Sequence, residues 1–218
     1  SGISIPTNKG IKWISGNNQS DIGRLYQWVT LILGMKPYHH EYKIMGLAPF
    51  SNTYEQAKTY EVFKNIFKLN RKKLLIEYSN KPKDLYFSFK RLLEGHRFDG
   101  IAGGLQKYVE DILGDWLNLI LKTTKRNNVC YGGGVAMNVK ANGILAKNSY
   151  VKDFFVPLSP GDETNIFGGA YLSTEKFYLK NNLNPNKLPP LANVYLGPEF
   201  SNSEIEKSII ENKKLKNF

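Results

Sequence analysis

The chain has 218 residues, of which 41% are hydrophobic and 13% aromatic, and this composition is sufficient for a hydrophobic core in one domain or slightly more. A single cysteine, Cys130, excludes an internal disulfide, and no stretch approaches the ~18 consecutive apolar residues that a membrane span needs. Residues 1–10 lack the charged region and apolar run of a signal peptide. We therefore expect a soluble, cytoplasmic protein with no membrane partner.

The formal net charge is +11, which raises attraction to phosphates, nucleic acid or acidic membranes as possibilities. The lysines are scattered over the predicted helix surfaces, however, and do not form one basic stripe interleaved with aromatic residues. A solvated, lysine-rich surface explains this pattern better, so we expect no nucleic-acid partner.

In chain order, the first predicted helix starts at Ser20, a candidate N-cap, and ends at Gly34. Its predicted buried stripe consists of four apolar residues at helical spacing: Ile22, Leu25, Val29 and Leu33. Periodicity does not settle residues 37–50, which mix aromatic, charged and turn residues. Helices are predicted again at residues 54–69 and 85–93.

The longest predicted helix covers residues 102–125, where apolar residues recur at helical spacing. Two short β-prone runs follow, at residues 129–131 and 154–157, and each leads through a turn into a helical stretch. This alternation of strands and helices predicts an α/β domain. The prolines of residues 184–198 indicate an extended linker, after which Ser201 or Ser203 caps a short final helix.

The sequence YGGGVAMN, residues 131–138, carries the strongest local chemistry, since glycines between a strand and a helix let main-chain N–H groups approach a phosphate or ribose. Its spacing matches neither the dinucleotide-binding fingerprint nor the P-loop. Asn138 offers a donor and an acceptor, as a nucleoside contact requires. On the residues alone, a tight packing turn fits as well as a ligand loop, and a solvent-facing asparagine would look the same.

The second loop, PGDETNIFGGA at residues 160–170, has Asp162 and Glu163 at a predicted helix start. Helix capping is the simpler interpretation of a carboxylate there, and metal binding is the other. Glu41 is suited to accept from ribose hydroxyls and Lys43 to meet a phosphate, although surface ion pairing is the simpler interpretation of both residues on their own. We do not expect His39 and His40 to form a metal pair, because adjacent histidines usually diverge.

Four motifs follow one another in a fixed order: HEYKIMGLAPF, GLQKYVED, YGGGVAMNVKANG and FFVPLSPGDETNIFGGAYL. This ordered set resembles the carbamoyltransferase family that includes nodulation-factor and antibiotic O-carbamoyltransferases, over residues 21–197. The resemblance implies the later half of an α/β domain of the actin, sugar-kinase and heat-shock-ATPase fold (ribonuclease-H-like), here helix-rich and related to tRNA threonylcarbamoyltransferase.

The resemblance also implies the reaction. Carbamoyl phosphate and ATP yield a carbamoyl-adenylate in a second domain similar to threonylcarbamoyl-AMP synthase, and the first domain passes the carbamoyl group to the hydroxyl of a small molecule such as a sugar or antibiotic. On this basis residues 1–190 are the later half of the transferase domain, and residues 191–218 are a linker and the start of the second domain. We expect an enzyme whose missing N-terminal segment and C-terminal domain complete the site, so that the chain alone is inactive.

Carried over residue by residue, the resemblance assigns nucleotide binding to the family's glycine loop, here Gly132, Gly133, Gly134, Val135 and Asn138. In the KxMGLAP-type segment it assigns Glu41, Lys43 and Gly46 to the border of the nucleotide. Asp162 matches the aspartate that binds an iron(II)-type ion, whereas the two histidines of the family's HxxxH motif do not occur in this chain. Thr164 stands where the family has glycine, and the catalytic residues stay unassigned.

Two other functions remain open from the sequence. The first is threonylcarbamoyl transfer to tRNA by the same fold, which the net charge of +11 favours. The second is a non-catalytic nucleotide-binding or scaffold protein, which the missing histidines favour.

Overall fold

The computed structural model describes residues 1–8, 10–18, 20–189, 195 and 197–212. The chain divides into two compact units, Ser1–Phe167 and Gly168–Phe218. In the described residues the helices are α1 (Ile22–Ile32), α2 (Glu41–Leu47), α3 (Thr53–Phe63), α4 (Leu85–Leu93), α5 (Phe98–Thr124), α6 (Val139–Ala146), α7 (Thr164–Lys180) and α8 (Asn202–Glu211). The strands are β1 (Gly2–Thr7), β2 (Gly10–Gly16), β3 (Phe67–Asn70), β4 (Leu75–Tyr78), β5 (Asn128–Cys130) and β6 (Asp153–Phe155).

The described strands form three two-stranded sheets. The pairs β1–β2 and β3–β4 are antiparallel hairpins, and the first has a register shift between Ile3 and Ser4. The pair β5–β6 is parallel, with Val129 opposite Phe154. The prediction of a helix-rich α/β protein is therefore confirmed, whereas the actin-like lobe stays a prediction.

Helix α5 is the central element of the first unit, because α1, α2, α3 and α6 all pack against it. Its buried face is a helical stripe of apolar side chains, among them Leu105, Val109, Leu113, Leu117 and Leu121. Two side chains of α5 also hold the β3–β4 hairpin. The Tyr108 hydroxyl accepts from Phe67 N–H, at the start of β3, at 3.2 Å. Trp116 Nε1 donates to Leu74 O, just before β4, at 2.8 Å.

The glycines at the start of α5 allow its backbone to approach α3 closely. A Cβ atom added at Gly104 would lie 2.7 Å from the Tyr60 nitrogen and 2.8 Å from the Thr59 carbonyl carbon. A Cβ at Gly100 would lie 2.9 Å from the Glu55 Cβ. These distances are shorter than ordinary van der Waals contact, so the α3–α5 interface requires residues without a side chain at these positions.

Two predictions of secondary structure need correction. The helix predicted over residues 54–69 ends at Phe63, and Phe67–Asn70 forms strand β3 instead, because it pairs with β4 and bonds to Tyr108. Asp21, not Ser20, is the N-cap of α1, since the Ser20 hydroxyl bonds to Ser1 Oγ and Asn17 Oδ1. Residues 37–50 contain α2 and a 3-10 turn.

Other predicted elements agree with the structure. Helices α4 and α5 and strands β5 and β6 lie where periodicity indicated, and Ser201 caps α8 with a capping box to Glu204. Within the predicted linker, residues 190–194 and 196 lie outside the described residues. The domain assignment of residues 1–190 and 191–218 stays a prediction. Among the described residues, no helix combines the length and the apolar character that crossing a membrane requires.

The close contact of α3 and α5 leads to a matched pair of substitutions within one helix. Gly104→Ala forces a methyl group against the α3 backbone, and we expect it to lower the free energy of unfolding by about 3 kcal/mol. Gly114→Ala, with nothing within 4 Å of the added atom, is expected to raise it by about 0.5 to 1 kcal/mol. Urea unfolding followed by circular dichroism measures both. Equal effects of the two substitutions would contradict the proposed contact.

Candidate functional site

Two loops follow the parallel strands β5 and β6 and lie side by side. Tyr131 N–H donates to Phe155 O at 2.9 Å as the strands end, and Gly133 N–H donates to Pro160 O at 2.6 Å. The glycine loop, Gly132–Gly134, is therefore bonded to the loop that contains Asp162. In α/β proteins, ligands bind in the crevice outside the carboxyl ends of parallel strands. This edge is thus the candidate functional site.

Gly133 has a backbone conformation that favours glycine. Its φ is +102°, in a region that other residues rarely adopt. A Cβ atom added at Gly133 would meet nothing within 4 Å, and one at Gly132 would be 4.0 Å from Pro160 O. The loop therefore has open space in front of its main chain, which a phosphate or ribose could fill. At the other side of the loop, Val135 lies beside Gly23 of α1.

Asp162 is exposed in the second loop, one residue before Glu163 and two before the start of α7. The Glu163 carboxylate accepts from the Ser159 hydroxyl at 3.3 Å, and the Thr164 hydroxyl donates to Ser159 O. Glu163 and Thr164 thus fix the shape of this loop, whereas Asp162 projects into solvent. Of the two carboxylates, Asp162 is the one available to a ligand.

The described residues contain no group of three or more His, Cys, Asp or Glu side chains that could hold a metal ion. Asp162 alone does not make an iron(II) site, and the role of Asp162 as one ligand of such an ion stays a prediction. His40 Nδ1 accepts from Lys36 N–H at 3.1 Å, a local turn contact.

Asn138 does not face the open space of the glycine loop. Its side chain is fully buried, at 1% exposure. Asn138 Oδ1 accepts from Ala141 N–H at 3.0 Å, which caps α6, and from Gln106 Nε2 at 3.0 Å. Asn138 Nδ2 donates to the Tyr26 hydroxyl at 2.9 Å and to Gln106 Oε1 at 3.0 Å. These four bonds use the full capacity of the amide, so none remains for a nucleotide.

Gln106 and Glu110 extend this buried network along α5. Gln106 Nε2 donates to Glu110 Oε1 at 2.9 Å, and the same oxygen lies 3.2 Å from Lys140 Nζ. Tyr26 donates to Gln106 Oε1 at 2.6 Å, and burial strongly raises the pKa of its hydroxyl, so Tyr26 stays a neutral donor. Burial also raises the pKa of Tyr131, to about 12. The network joins α1, α5 and the start of α6 behind the glycine loop.

The other predicted nucleotide contacts lie on α2. Glu41 Oε1 accepts from Tyr38 N–H at 2.6 Å, while Lys43 and Gly46 are exposed. Helix α2 packs on α1 and α5. None of these contacts joins α2 to the glycine loop, so the roles of Glu41, Lys43 and Gly46 stay predictions.

The buried polar residues Tyr26, Gln106 and Glu110 were not among the predicted site residues. One signal was present in the sequence: Gln106 and Glu110 are four residues apart, on the same side of α5 as Leu105 and Val109. Polar residues at this spacing on a buried helical face require hydrogen-bonding partners.

The buried network predicts unequal effects at two asparagines of the same segment. Asn138→Ala removes the α6 cap and three buried hydrogen bonds to Gln106 and Tyr26, so we expect a loss of about 3 kcal/mol in the free energy of unfolding. Asn142→Ala removes one bond, from Nδ2 to Ala136 O, and should cost about 1 kcal/mol. Guanidinium unfolding measures both losses. A smaller loss for Asn138→Ala than for Asn142→Ala would show that the network contributes little.

Comparison with known proteins agrees with the order of the sequence motifs. A match to the family described as "Carbamoyltransferase N-terminus" covers residues 6–171, which include both loops of the candidate site. An uncharacterised protein of Synechocystis sp. is 31% identical over 198 residues, covering 85% of this chain and 32% of that protein.

Two rhizobial proteins are also similar. Nodulation protein NolO of Bradyrhizobium diazoefficiens is 23% identical over 88% of the chain and 34% of its own length. Nodulation protein NolNO of Sinorhizobium fredii is 23% identical over 95% of the chain and 30% of its own length. The chain thus spans about a third of the length of the relatives it matches. By the extent of its match, this chain belongs to the carbamoyltransferase family.

Proposed function

We propose that this chain is the part of an ATP-dependent O-carbamoyltransferase that binds the carbamoyl-adenylate and presents it to a substrate hydroxyl. The observation that carries the proposal is the bond between Gly133 N–H and Pro160 O, which joins the glycine loop to the Asp162 loop at the carboxyl ends of two parallel strands. The family match covers both loops.

In this proposal the glycine loop holds the nucleotide through its main chain. The positive φ of Gly133 and the open space beside it allow a phosphate to approach the backbone without meeting a side chain. Asn138 acts indirectly: its buried amide fixes the end of the loop to α5 and α6, so that the loop is preorganised before the ligand binds.

Asp162 is proposed to contribute one oxygen ligand to an iron(II)-type ion at the same edge. Such an ion supplies Lewis-acid polarisation of an oxygen in the acyl-transfer reaction. The exposed carboxylate of Asp162, one loop away from the glycines, fits this role, and other ligands must come from outside the described residues.

The rest of the polypeptide is proposed to complete the enzyme. Because the relatives are about three times as long as the aligned part, carbamoyl-adenylate synthesis from carbamoyl phosphate and ATP, and recognition of the hydroxyl acceptor, are assigned to the remainder. The chain alone is then inactive in transfer.

The glycine loop provides the main test. Calorimetric titration with ATP, and with a non-hydrolysable carbamoyl-adenylate analogue, is compared between the chain and two variants. Gly133→Ala adds a side chain at positive φ in front of the loop, and we expect at least ~10-fold weaker binding of the analogue. Gly143→Ala, on the exposed side of α6, is expected to leave affinity unchanged.

The result distinguishes the candidate functions. Equal affinity of the Gly133→Ala and Gly143→Ala variants would show that the glycine loop is a packing turn. Absence of analogue binding by the folded chain, even when the rest of the polypeptide is supplied, would favour a non-catalytic protein. Tight, salt-dependent binding of tRNA would instead support threonylcarbamoyl transfer, the candidate that the net charge of +11 favours.

Asp162 is tested by the effect of iron(II) on the same titration. We expect iron(II) to strengthen binding of the analogue several-fold, because a divalent ion links a carboxylate to phosphate oxygens. Asp162→Asn should abolish this enhancement, and Glu163→Gln should retain it, because Glu163 bonds within its own loop. Loss of the enhancement in both variants, with normal folding, would rule out a specific role for Asp162.

A further inference from the structure

A groove of about 330 Å³ lies between strands β1 and β5. Residues 2–6 of β1 line one side, and residues 126–131, which include all of β5, line the other. The floor is apolar and consists of α5 side chains, namely Leu113, Trp116, Leu117, Ile120 and Leu121. The groove is thus bounded by two strands from different sheets and closed beneath by one helix.

The edge of β5 that faces away from β6 has unpaired main-chain groups. Asn127 O accepts from Lys152 N–H at 2.8 Å, and Tyr131 N–H donates to Phe155 O at 2.9 Å. Main-chain groups alternate in direction along a strand, so Val129 also faces β6. The N–H and C=O groups of Asn128 and Cys130 therefore point to the opposite edge, and both residues line the groove.

The edge of β1 that faces away from β2 is also open. Within the described sheets, β1 has β2 as its neighbour on one side. Pro6 pairs with Ile11 inside this hairpin and has no N–H, so its nitrogen faces away from β2. By alternation, the N–H and C=O groups of Ser4 share this outer edge, and Ser4 lines the groove. Ser4 offers a donor and an acceptor there, and Pro6 offers an acceptor.

The exposure of β5 and β6 is unusual for parallel strands, which are normally covered. Phe155 of β6 is 61% exposed, and Cys130 of β5 is exposed as well. A sheet edge whose main-chain N–H and C=O groups are unpaired is a site at which a further strand can be added.

We propose that the groove accepts one extended segment of the enzyme's own polypeptide from outside these 218 residues. The segment is about five residues long, matching residues 2–6 of β1, and hydrogen-bonds to Ser4 on one side and to Asn128 and Cys130 on the other. It joins β2, β1, β5 and β6 into one five-stranded sheet. Every second side chain of the segment is apolar and packs on Leu117 and Leu121 of α5.

Two observations favour the enzyme's own polypeptide over a separate partner. The relatives have about two thirds of their length outside the matched part, so the segment is available at high effective concentration. A groove with hydrogen-bonding edges on both sides admits a single strand, whereas the edge of a second copy would satisfy only one of them.

Amide hydrogen exchange provides the test. The chain is compared with a chimaera in which it replaces the matched region of the Synechocystis relative, so that the flanking polypeptide of that relative is supplied. We expect the Asn128 and Cys130 amides to exchange at least ~100-fold more slowly in the chimaera. The Val129 amide, already directed to β6, is the internal control and should change much less.

Three outcomes would overturn the proposal. In a chimaera with protected α5 amides, unchanged exchange of Asn128 and Cys130 would show that the groove stays open. Concentration-dependent protection in the chain alone, with a dimer in sedimentation, would identify a second copy as the occupant. If the chimaera fails to fold, overlapping peptides that tile the relative's flanks are added to the chain, and the failure of every peptide to slow these two amides would be equally contradictory.

Discussion

The close packing of α5 on α3 fixes the geometry of the first unit. Gly104 lies against the main chain of Thr59 and Tyr60, and a side chain there would push the two helices apart. Because α1, α2 and α6 also pack on α5, any shift of this helix would move every element behind the glycine loop. The glycines at the start of α5 therefore have a structural role, even though they lie outside the loops of the candidate site.

Helix α5 is connected to the candidate site by the hydrogen bonds of Gln106. The Gln106 amide bonds to Asn138, and Asn138 caps the helix that follows the glycine loop. A buried amide pair needs all of its partners, because an unpaired polar atom in the interior costs about 1 to 3 kcal/mol. The network thus admits few alternative arrangements of α1, α5 and α6, and this selectivity is its main contribution to the site. The glycine loop, in which Gly133 is already bonded to Pro160 and Ala136, is left with open space beside its main chain for a ligand.

Much of this architecture was accessible from the sequence, and the reasons for the exceptions are physical. The apolar stripe of α5 recurs at helical spacing, and β5 and β6 are short apolar runs. Each of these patterns is local in the sequence, so the helix and the two strands could be predicted. The β3 strand was missed because the hydroxyl of Tyr108, which accepts from Phe67 N–H, is 41 residues away in sequence and leaves no sign in the local pattern. Asn138 was expected to meet a nucleotide, since an exposed amide and a buried one look identical in a sequence. Its direction depends on Tyr26 and Gln106, which lie 112 and 32 residues away.

The surfaces that the first unit leaves open have a common physical explanation. A parallel pair of strands with exposed faces, and two strand edges that border one apolar groove, are unfavourable in an independent domain, because they leave apolar area and main-chain groups in water. We propose that, in a polypeptide as long as the relatives, the same features become interfaces. A strand in the groove would pack on the Leu117 side of α5, the helix that holds Gln106 and, through it, the glycine loop. Completion of the sheet and rigidity of the glycine loop would then depend on the same helix, so under the proposed function we expect the assembled protein to bind a carbamoyl-adenylate more tightly than the isolated chain.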